Sequence, residues 1–170
     1  MRTKVAVFTA VLVGVCGFAS LATCATPKAA SKQAAPARLH LSAPKPADMD
    51  RTASLDGLLA KSGAADWSAR KGARIEGYVV QVEKEEDSDI HLVLAGAPGE
   101  SDSKKWVITE VPPAAQAKNP ALGVKALRGL FGKKVAVTGW LFYDAHEKDP
   151  DPRGTLWEVH PVTSVEALEK

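Results

Sequence analysis

The 170-residue chain contains only two cysteines, Cys16 and Cys24, and both lie near its amino terminus. The rest of the sequence therefore has no disulfide, no cysteine nucleophile and no cysteine-ligated zinc site. Glycine-rich phosphate-binding motifs are also absent, and no serine lies in the context of a nucleophile elbow. These absences exclude several common classes of enzyme and leave the stability of the domain to a packed core.

Only one long apolar run is present, at residues 5–22, and it follows Arg2 and Lys4. A basic start, an apolar stretch and small residues at its end are typical of a secretory signal peptide. We therefore predict a signal peptide over residues 1–25 and export to the periplasm or the cell envelope. The alternative is an uncleaved membrane anchor, because the run is long enough to cross a bilayer.

Cys24 ends the sequence Leu21-Ala22-Thr23-Cys24, which resembles a bacterial lipobox except that Thr23 replaces the usual Gly, Ala or Ser. Cleavage before Cys24 would make this cysteine the lipidated first residue. Cleavage by the ordinary signal peptidase would release a soluble protein instead. Contact with a membrane is therefore expected only through the signal segment or through a lipidated Cys24.

Basic residues are outnumbered in the second part of the chain. From Ala73 onward the sequence contains 12 basic and 16 acidic residues, a balance of −4. A nucleic-acid-binding domain normally has the opposite sign, because it must displace counterions from phosphates. The partner is unknown from the sequence, and nucleic acid is not favoured.

Three regions follow the signal segment. Residues 26–50 are rich in Ala, Pro, Lys and Ser and show no hydrophobic period, which predicts a disordered tether. Residues 51–72 are predicted to hold a short lead-in helix capped by Ser54, because leucines from Leu55 onward follow helical spacing. Residues 73–168 form the predicted domain.

Five segments of this domain have the composition and alternation of β-strands. The first is interrupted by Gly77 and changes phase between Val79 and Val80, which predicts a bulged and strongly coiled strand. A single helix is predicted after the third strand, with Asn119 as its cap and Pro120 at its first position. The predicted strands cover residues 75–82, 90–94, 106–111, 135–144 and 155–165, and the helix presents Leu122, Ala126, Leu127, Leu130 and Phe131 as its apolar stripe.

The order strand, strand, strand, helix, strand, strand, with a glycine-bent first strand, resembles the OB-fold, an all-β, five-stranded Greek-key barrel with one helix. The resemblance covers residues 73–168. It implies that the fifth strand closes the barrel. Alternation along this strand predicts that Trp157, Val159 and Val165 share one face, with Glu158, His160 and Val162 on the other.

Five short motifs resemble a group of small exported bacterial proteins of unassigned function. The most distinctive are Phe142-Tyr143-Asp144 and Glu158-Val159-His160-Pro161-Val162. This resemblance implies no known activity, so it assigns no catalytic residue. The remaining motifs are His91-Leu92-Val93-Leu94, Glu110-Val111-Pro112 and Val137-Thr138-Gly139.

The candidate site rests on three carboxylate-x-histidine pairs, Asp89/His91, Asp144/His146 and Glu158/His160. Residues two apart on a strand point to the same side, so each pair can act together. Imidazole and carboxylate groups suit a divalent metal such as zinc, but the same pairs also occur as hydrogen-bonded networks that fix an imidazole tautomer. Acid–base catalysis without a metal is the third alternative. The candidate binding residues are His91, Glu110, Asp144, His146, Glu158 and His160, and the candidate metal ligands are His91, Asp144, His146 and His160.

The sequence favours an exported, non-catalytic binding or interaction module, with no cofactor unless these groups bind a divalent metal. The alternative is an exported metal-dependent hydrolase, of the phosphodiesterase or nuclease type, that uses the carboxylate–histidine pairs. An enzyme requires those groups to converge in a cleft, whereas a binding module requires only an exposed recess or aromatic surface. Four aromatic residues are candidates for a stacking platform for sugars or single strands: Tyr78, Trp106, Trp140 and Trp157.

Overall fold

The computed structural model describes residues 41–145 and 153–168. The predicted signal segment with Cys24, the first part of the predicted tether and His146 lie outside these residues. Among the described residues, no helix is both long enough and apolar enough to cross a membrane. The strands are β1 (Gly72–Lys84), β2 (Ile90–Ala95), β3 (Trp106–Val111), β4 (Lys134–Tyr143) and β5 (Trp157–Ala167). The helices are α1 (Leu55–Ala60), α2 (Pro113–Lys118) and α3 (Val124–Arg128), with 3-10 turns at Ser103–Lys105 and Pro120–Leu122.

The five strands form a closed barrel in the order β1-β2-β3-β5-β4, and β4 pairs back onto β1. Neighbouring strands are antiparallel except β3 and β5, which run parallel and pair through Thr109 and Val159. The helical segment lies between β3 and β4. This is the strand order of a Greek-key OB barrel, so the predicted fold is confirmed.

Aliphatic side chains fill the barrel because they alternate along the strands with outward-facing polar ones. In β2, Ile90, Leu92 and Leu94 are fully buried, and His91 between them lies on the outer face, as predicted. Trp157 is also buried in this core. Other strand residues in the core are Ala73, Ile75, Val79, Val107, Val111, Val135, Val137, Leu141, Val159 and Val162.

The predicted bulge in β1 is confirmed. Val79 pairs with Leu94 and Gln81 pairs with Val93, so Val80 is an extra residue without a partner on β2. Such a bulge sharpens the local twist and bends the strand, which helps a sheet to close on itself.

The lead-in helix begins where predicted. The Ser54 hydroxyl accepts a hydrogen bond from the Gly57 N–H at 3.0 Å and caps α1. Leu55 and Leu58 of α1 are buried in the core. Gly77 allows this close approach, because a Cβ there would lie 2.8 Å from the Leu55 Cδ1 atom.

The prediction of one long helix before β4 is wrong. Asn119 does act as a cap, but its side chain accepts from the Ala121 N–H at the start of a short 3-10 turn. Gly123 is extended, with φ −74° and ψ 152°, so the turn ends there and α3 begins afresh. The rotation introduced at this break leaves Ala126 and Phe131 of the predicted apolar stripe exposed.

The predicted orientation of Val162 on β5 is also wrong, because the alternation of this strand is interrupted. Gly139 pairs with Val162 and Leu141 pairs with Val159, so His160 and Pro161 together lie opposite the single residue between them on β4. This two-to-one pairing is a β-bulge, and it shifts the phase of the strand by one residue. Val162 therefore packs in the core with Val159, while Glu158 and His160 precede the phase change.

The predicted tether is ordered in its last part. Residues 41–50 lie against the barrel, where Met49 forms a bridge with Gly72 and the Asp50 N–H donates to the Gly72 carbonyl at 2.8 Å. The Trp140 indole N–H donates to the Ser42 carbonyl at 2.9 Å. Disorder through residue 50 is therefore contradicted for residues 41–50, because strand-edge backbone groups and an indole supply partners that composition does not reveal.

Candidate functional site

The site is built on the outer face of the barrel by β2, β3 and β5. His91 on β2 and Glu110 on β3 are direct cross-strand partners. Thr109 of β3 pairs in parallel with Val159 of β5, which brings the next residues, Glu110 and His160, together on the same surface. Strand pairing thus brings together three of the six predicted binding residues.

Glu110 lies between the two imidazoles. Its Oε1 atom is 2.9 Å from His91 Nε2, and its Oε2 atom is 2.8 Å from His160 Nδ1. Burial by itself raises the pKa of Glu110, but the contacts with His160 and His91 outweigh that effect and hold the pKa well below its usual range. Glu110 is therefore ionised over the whole working pH range and is the anionic centre of the cluster.

His91 has a second carboxylate neighbour, since its Nδ1 atom is 3.4 Å from Glu85 Oε1. Burial lowers the pKa of His91, but Glu110 and Glu85 more than offset this effect and the pKa is raised overall. The imidazolium form of His91 is thus stabilised by anions on two strands.

Asp89 approaches the cluster from the turn that precedes β2. Its Oδ2 atom is 3.9 Å from His160 Nε2, whereas Glu110 contacts the other ring nitrogen, Nδ1. Burial raises the pKa of Asp89 to about 6; Asp87 and Glu110 add to the rise, while His160 and His91 oppose it. Asp89 therefore pairs in space with His160, and not only with its sequence neighbour His91.

Glu158 and Asp144 are buried beside this cluster. Glu158 forms an ion pair with Arg153, and both side chains are almost inaccessible to solvent. Burial raises the pKa of Glu158 well above its usual range, with further contributions from Glu110 and Asp144 and opposition from Arg153. Asp144 directly follows β4, and its N–H donates to the Leu156 carbonyl at 2.9 Å. Both residues are buried, and neither lines the recess on this face.

A recess of about 350 Å³ lies on the same face, and His91 is one of its lining residues. Val93 and Ile108 are buried and form an apolar floor, and the half-buried Trp106 lies beside them. The polar side chains around the recess are Gln81, Glu83, Glu85, His91 and Arg153. The recess therefore combines one aromatic ring with hydrogen-bonding groups of mainly acidic character.

The predicted aromatic platform does not form as a common surface. Trp157 is in the core, and Trp140 is covered by the segment that contains Ser42. Tyr78 lies near Lys134, away from the recess. Of the four aromatic candidates, only Trp106 is among the described residues that line the recess.

Three residues that contribute to the site were not among the predicted binding residues. The Asp-x-His pair with His91 indicated Asp89 as a candidate, but the contact of Asp89 with His160 depends on strand order. The spacing of Glu85 and Arg153 in the sequence did not indicate a role in the site. Glu85 contacts His91 and Arg153 contacts Glu158 only in the folded structure. Glu158 interacts electrostatically with Glu110 and with Asp144, whereas His146 falls outside the described residues.

In chelator-treated protein, we expect His91 to titrate above the ordinary value of 6.5. Because the folded pKa is raised, the stability contributed by protonated His91 is fully present below about pH 6.5 and is lost as the pH rises through the folded pKa. Replacing Glu85 by Gln removes one of the stabilising anions and should lower the pKa of His91. NMR titration of the imidazole signals measures both values, and a value below 6.5 in the wild type would mean that burial outweighs the two carboxylates.

No protein-family model matches the chain, and no curated protein matches it. Two solved structures of asparaginyl-tRNA synthetase from Entamoeba histolytica, one of them in complex with asparaginyl-adenylate, each align with a TM-score of 0.43 and 16% identity. Both alignments cover 63% of this chain and 22% of the synthetase chain.

Proposed function

We propose that the protein is an exported, non-catalytic OB-fold binding module whose ligand occupies the recess beside Trp106. The observation that carries this proposal is the position of the recess on the outer face of β1, β2 and β3. It lies between Glu85 at the end of β1 and Arg153 before β5. OB barrels use the face of strands 2 and 3, flanked by these two connections, to bind oligonucleotides and oligosaccharides.

The charge of the recess favours oligosaccharides over oligonucleotides as ligands. Glu83 and Glu85 lie at its edge, and the two basic residues among its described lining residues already have carboxylate partners. Arg153 pairs with Glu158, and His91 contacts Glu85 and Glu110. A phosphate backbone would therefore meet repulsion rather than the cationic track that it requires. A neutral, polyhydroxylated ligand such as a sugar fits better, because carboxylates accept hydrogen bonds from hydroxyl groups.

Trp106 provides the apolar contact that such a ligand needs. Its indole N–H donates to the Glu100 carbonyl at 3.0 Å, which fixes the orientation of the ring. A ring held in place in this way loses little conformational entropy when a ligand stacks on it. None of the described side chains that line the recess is a serine, threonine or cysteine, so hydroxyl and thiol nucleophiles are not available there.

The export part of the proposal is supported by the sequence. Arg2 and Lys4 precede the apolar run of residues 5–22, and the short motifs around His91, Glu110 and His160 resemble those of small exported bacterial proteins. The periplasm or the cell envelope would give a sugar-binding module access to glycans. Lipidation of Cys24 would keep such a module close to the membrane.

The recess can be tested by NMR with three probes added separately: a trisaccharide of glucose, a trisaccharide of N-acetylglucosamine and a ten-nucleotide single strand of DNA. We expect at least one sugar to shift the signals of Gln81, His91 and the Trp106 indole, and the DNA to leave them unchanged. Replacing Trp106 by Ala should weaken sugar binding by about tenfold or more, the equivalent of one lost stacking contact of about 1–3 kcal/mol.

Phe131 is a matched control, because it is a large exposed aromatic residue outside the recess. The Phe131→Ala variant should bind the sugar as the wild type does. The proposal is wrong if neither sugar binds, if the shifts map to another surface, or if the DNA alone binds.

A further inference from the structure

A second group of polar side chains lies next to His91 and does not line the recess. Asp89, Glu110 and His160 each offer one ligand atom, and these atoms all lie within 4.8 Å of one another. Within residues 41–145 and 153–168, no other group of His, Cys, Asp and Glu meets this condition. We propose that these three residues bind a divalent transition-metal ion, with zinc as the best match. The proposal goes beyond sugar binding and does not depend on it.

The spacing of the ligand atoms suits a single ion. Zinc binds imidazole nitrogen and carboxylate oxygen at about 2.0–2.2 Å, so two ligand atoms on one ion are separated by roughly 3–4 Å. The distance of 3.9 Å between His160 Nε2 and Asp89 Oδ2 falls within this range and is too long for a hydrogen bond. The ligand atom that Glu110 offers lies within 4.8 Å of the other two.

The state of His160 is an independent indication of a missing partner. Both of its ring nitrogens are buried, and neither makes a hydrogen bond within the described structure. Nδ1 is only 2.8 Å from Glu110 Oε2, but the contact lacks hydrogen-bond geometry. Buried polar atoms without a partner are rare in proteins because they lose their hydration without compensation. Coordination of a metal ion by one ring nitrogen would remove this cost for that atom.

The surroundings resemble the outer support of known metal sites. His91 Nε2 contacts Glu110 Oε1 at 2.9 Å, so one oxygen of Glu110 is held by a neighbouring ring while the other faces His160. Carboxylate ligands in metal sites are commonly oriented in this way by a second layer of hydrogen bonds. His91, a predicted metal ligand, is therefore assigned as a positioning residue.

The donor set selects the class of ion. One imidazole nitrogen and two carboxylate oxygens suit zinc and similar borderline divalent ions, whereas calcium and magnesium prefer oxygen ligands alone. The three ligands come from the turn before β2, from β3 and from β5, so the site exists only when the barrel is closed. This set differs from the predicted ligands His91, Asp144, His146 and His160, of which only His160 remains.

The test uses the full chain, purified without a metal-affinity tag, treated with a chelator and then titrated with Zn²⁺ by calorimetry. We expect one ion to bind per chain. The His160→Ala and Asp89→Asn variants should each bind at least about tenfold more weakly, the smallest loss typical even for removal of a supporting residue of a metal site. Glu86→Gln is the matched control, because Glu86 is an exposed carboxylate of the same turn and is not one of the three ligands. Its affinity for Zn²⁺ should equal that of the wild type.

A second measurement distinguishes the loss of metal binding from the loss of the folded structure. Co²⁺ added to the wild type should give visible absorption bands and should broaden the NMR signals of Asp89 and Glu110 by its paramagnetism. If His160→Ala loses its circular dichroism signal, Asp89→Asn carries the test, because Asp89 lies in a turn and not in the core. The proposal is overturned if the wild type binds no Zn²⁺ or if Asp89→Asn binds it as tightly as the wild type. It is also overturned if His146→Ala abolishes binding while a folded His160→Ala variant retains it.

Discussion

Replacing Trp157 by alanine is expected to lower the free energy of unfolding by about 3–5 kcal/mol, the range observed when a large buried aromatic residue is truncated. Trp157 is only 2% exposed and is the largest fully buried side chain of the described core. Its ring packs edge-on against Tyr143 with the centroids 5.2 Å apart, and its indole N–H donates to the Gly63 carbonyl at 2.9 Å. Truncation therefore opens a cavity where β4 and β5 meet and also leaves a carbonyl without its donor.

Chemical denaturation followed by circular dichroism measures this loss. Trp157→Phe is the matched control, because phenylalanine keeps an aromatic ring against Tyr143 but has no N–H for the Gly63 carbonyl. We expect it to lose about 1–3 kcal/mol, less than the alanine variant. An alanine variant as stable as the wild type would show that Trp157 does not close the barrel.

Replacing Gly139 by alanine is expected to destabilise the protein by about 3 kcal/mol, near the upper end of the usual cost of overpacking. A Cβ at this position would collide with the Pro161 carbonyl oxygen and would lie 2.6 Å from Val159 Cγ1 and 3.0 Å from Val162 Cα. Two of these three atoms belong to the backbone of β5, so no side-chain rotation relieves the contact. The bulge of β5 would have to move, and His160 would move with it.

The experiment combines a denaturation curve with the NMR signals of His160. Gly96→Ala is the matched control, because a Cβ at Gly96 would meet no atom within 4 Å and its backbone is not left-handed. A surface substitution of this kind usually changes stability by less than about 0.5 kcal/mol. If Gly139→Ala were as stable as Gly96→Ala and kept the His160 signals in place, the close packing of β4 on the β5 bulge would play no part in holding the site.

The sequence by itself determined the features that depend on local periodicity. The five strands, the bulge after Val79, the Ser54 cap and the outward orientation of His91 follow from residues within one segment. Alternation needs no knowledge of distant residues, because side chains on a strand point to opposite faces with a period of two. The same information was insufficient for the helical segment before β4, where Gly123 adopts an extended conformation that composition alone did not reveal.

Only the tertiary structure decided which groups share the site. Glu110 meets His160 because β3 runs parallel to β5, although β4 lies between them in the chain. Asp89 reaches His160 because β2, which it precedes, pairs with β3, and β3 pairs with β5. Val162 enters the core because the bulge at Pro161 shifts the phase of β5. These contacts depend on barrel closure, strand order and register, which join residues far apart in sequence. A local hydrophobic pattern carries no record of them, so the sequence could name the histidines and carboxylates but not their partners.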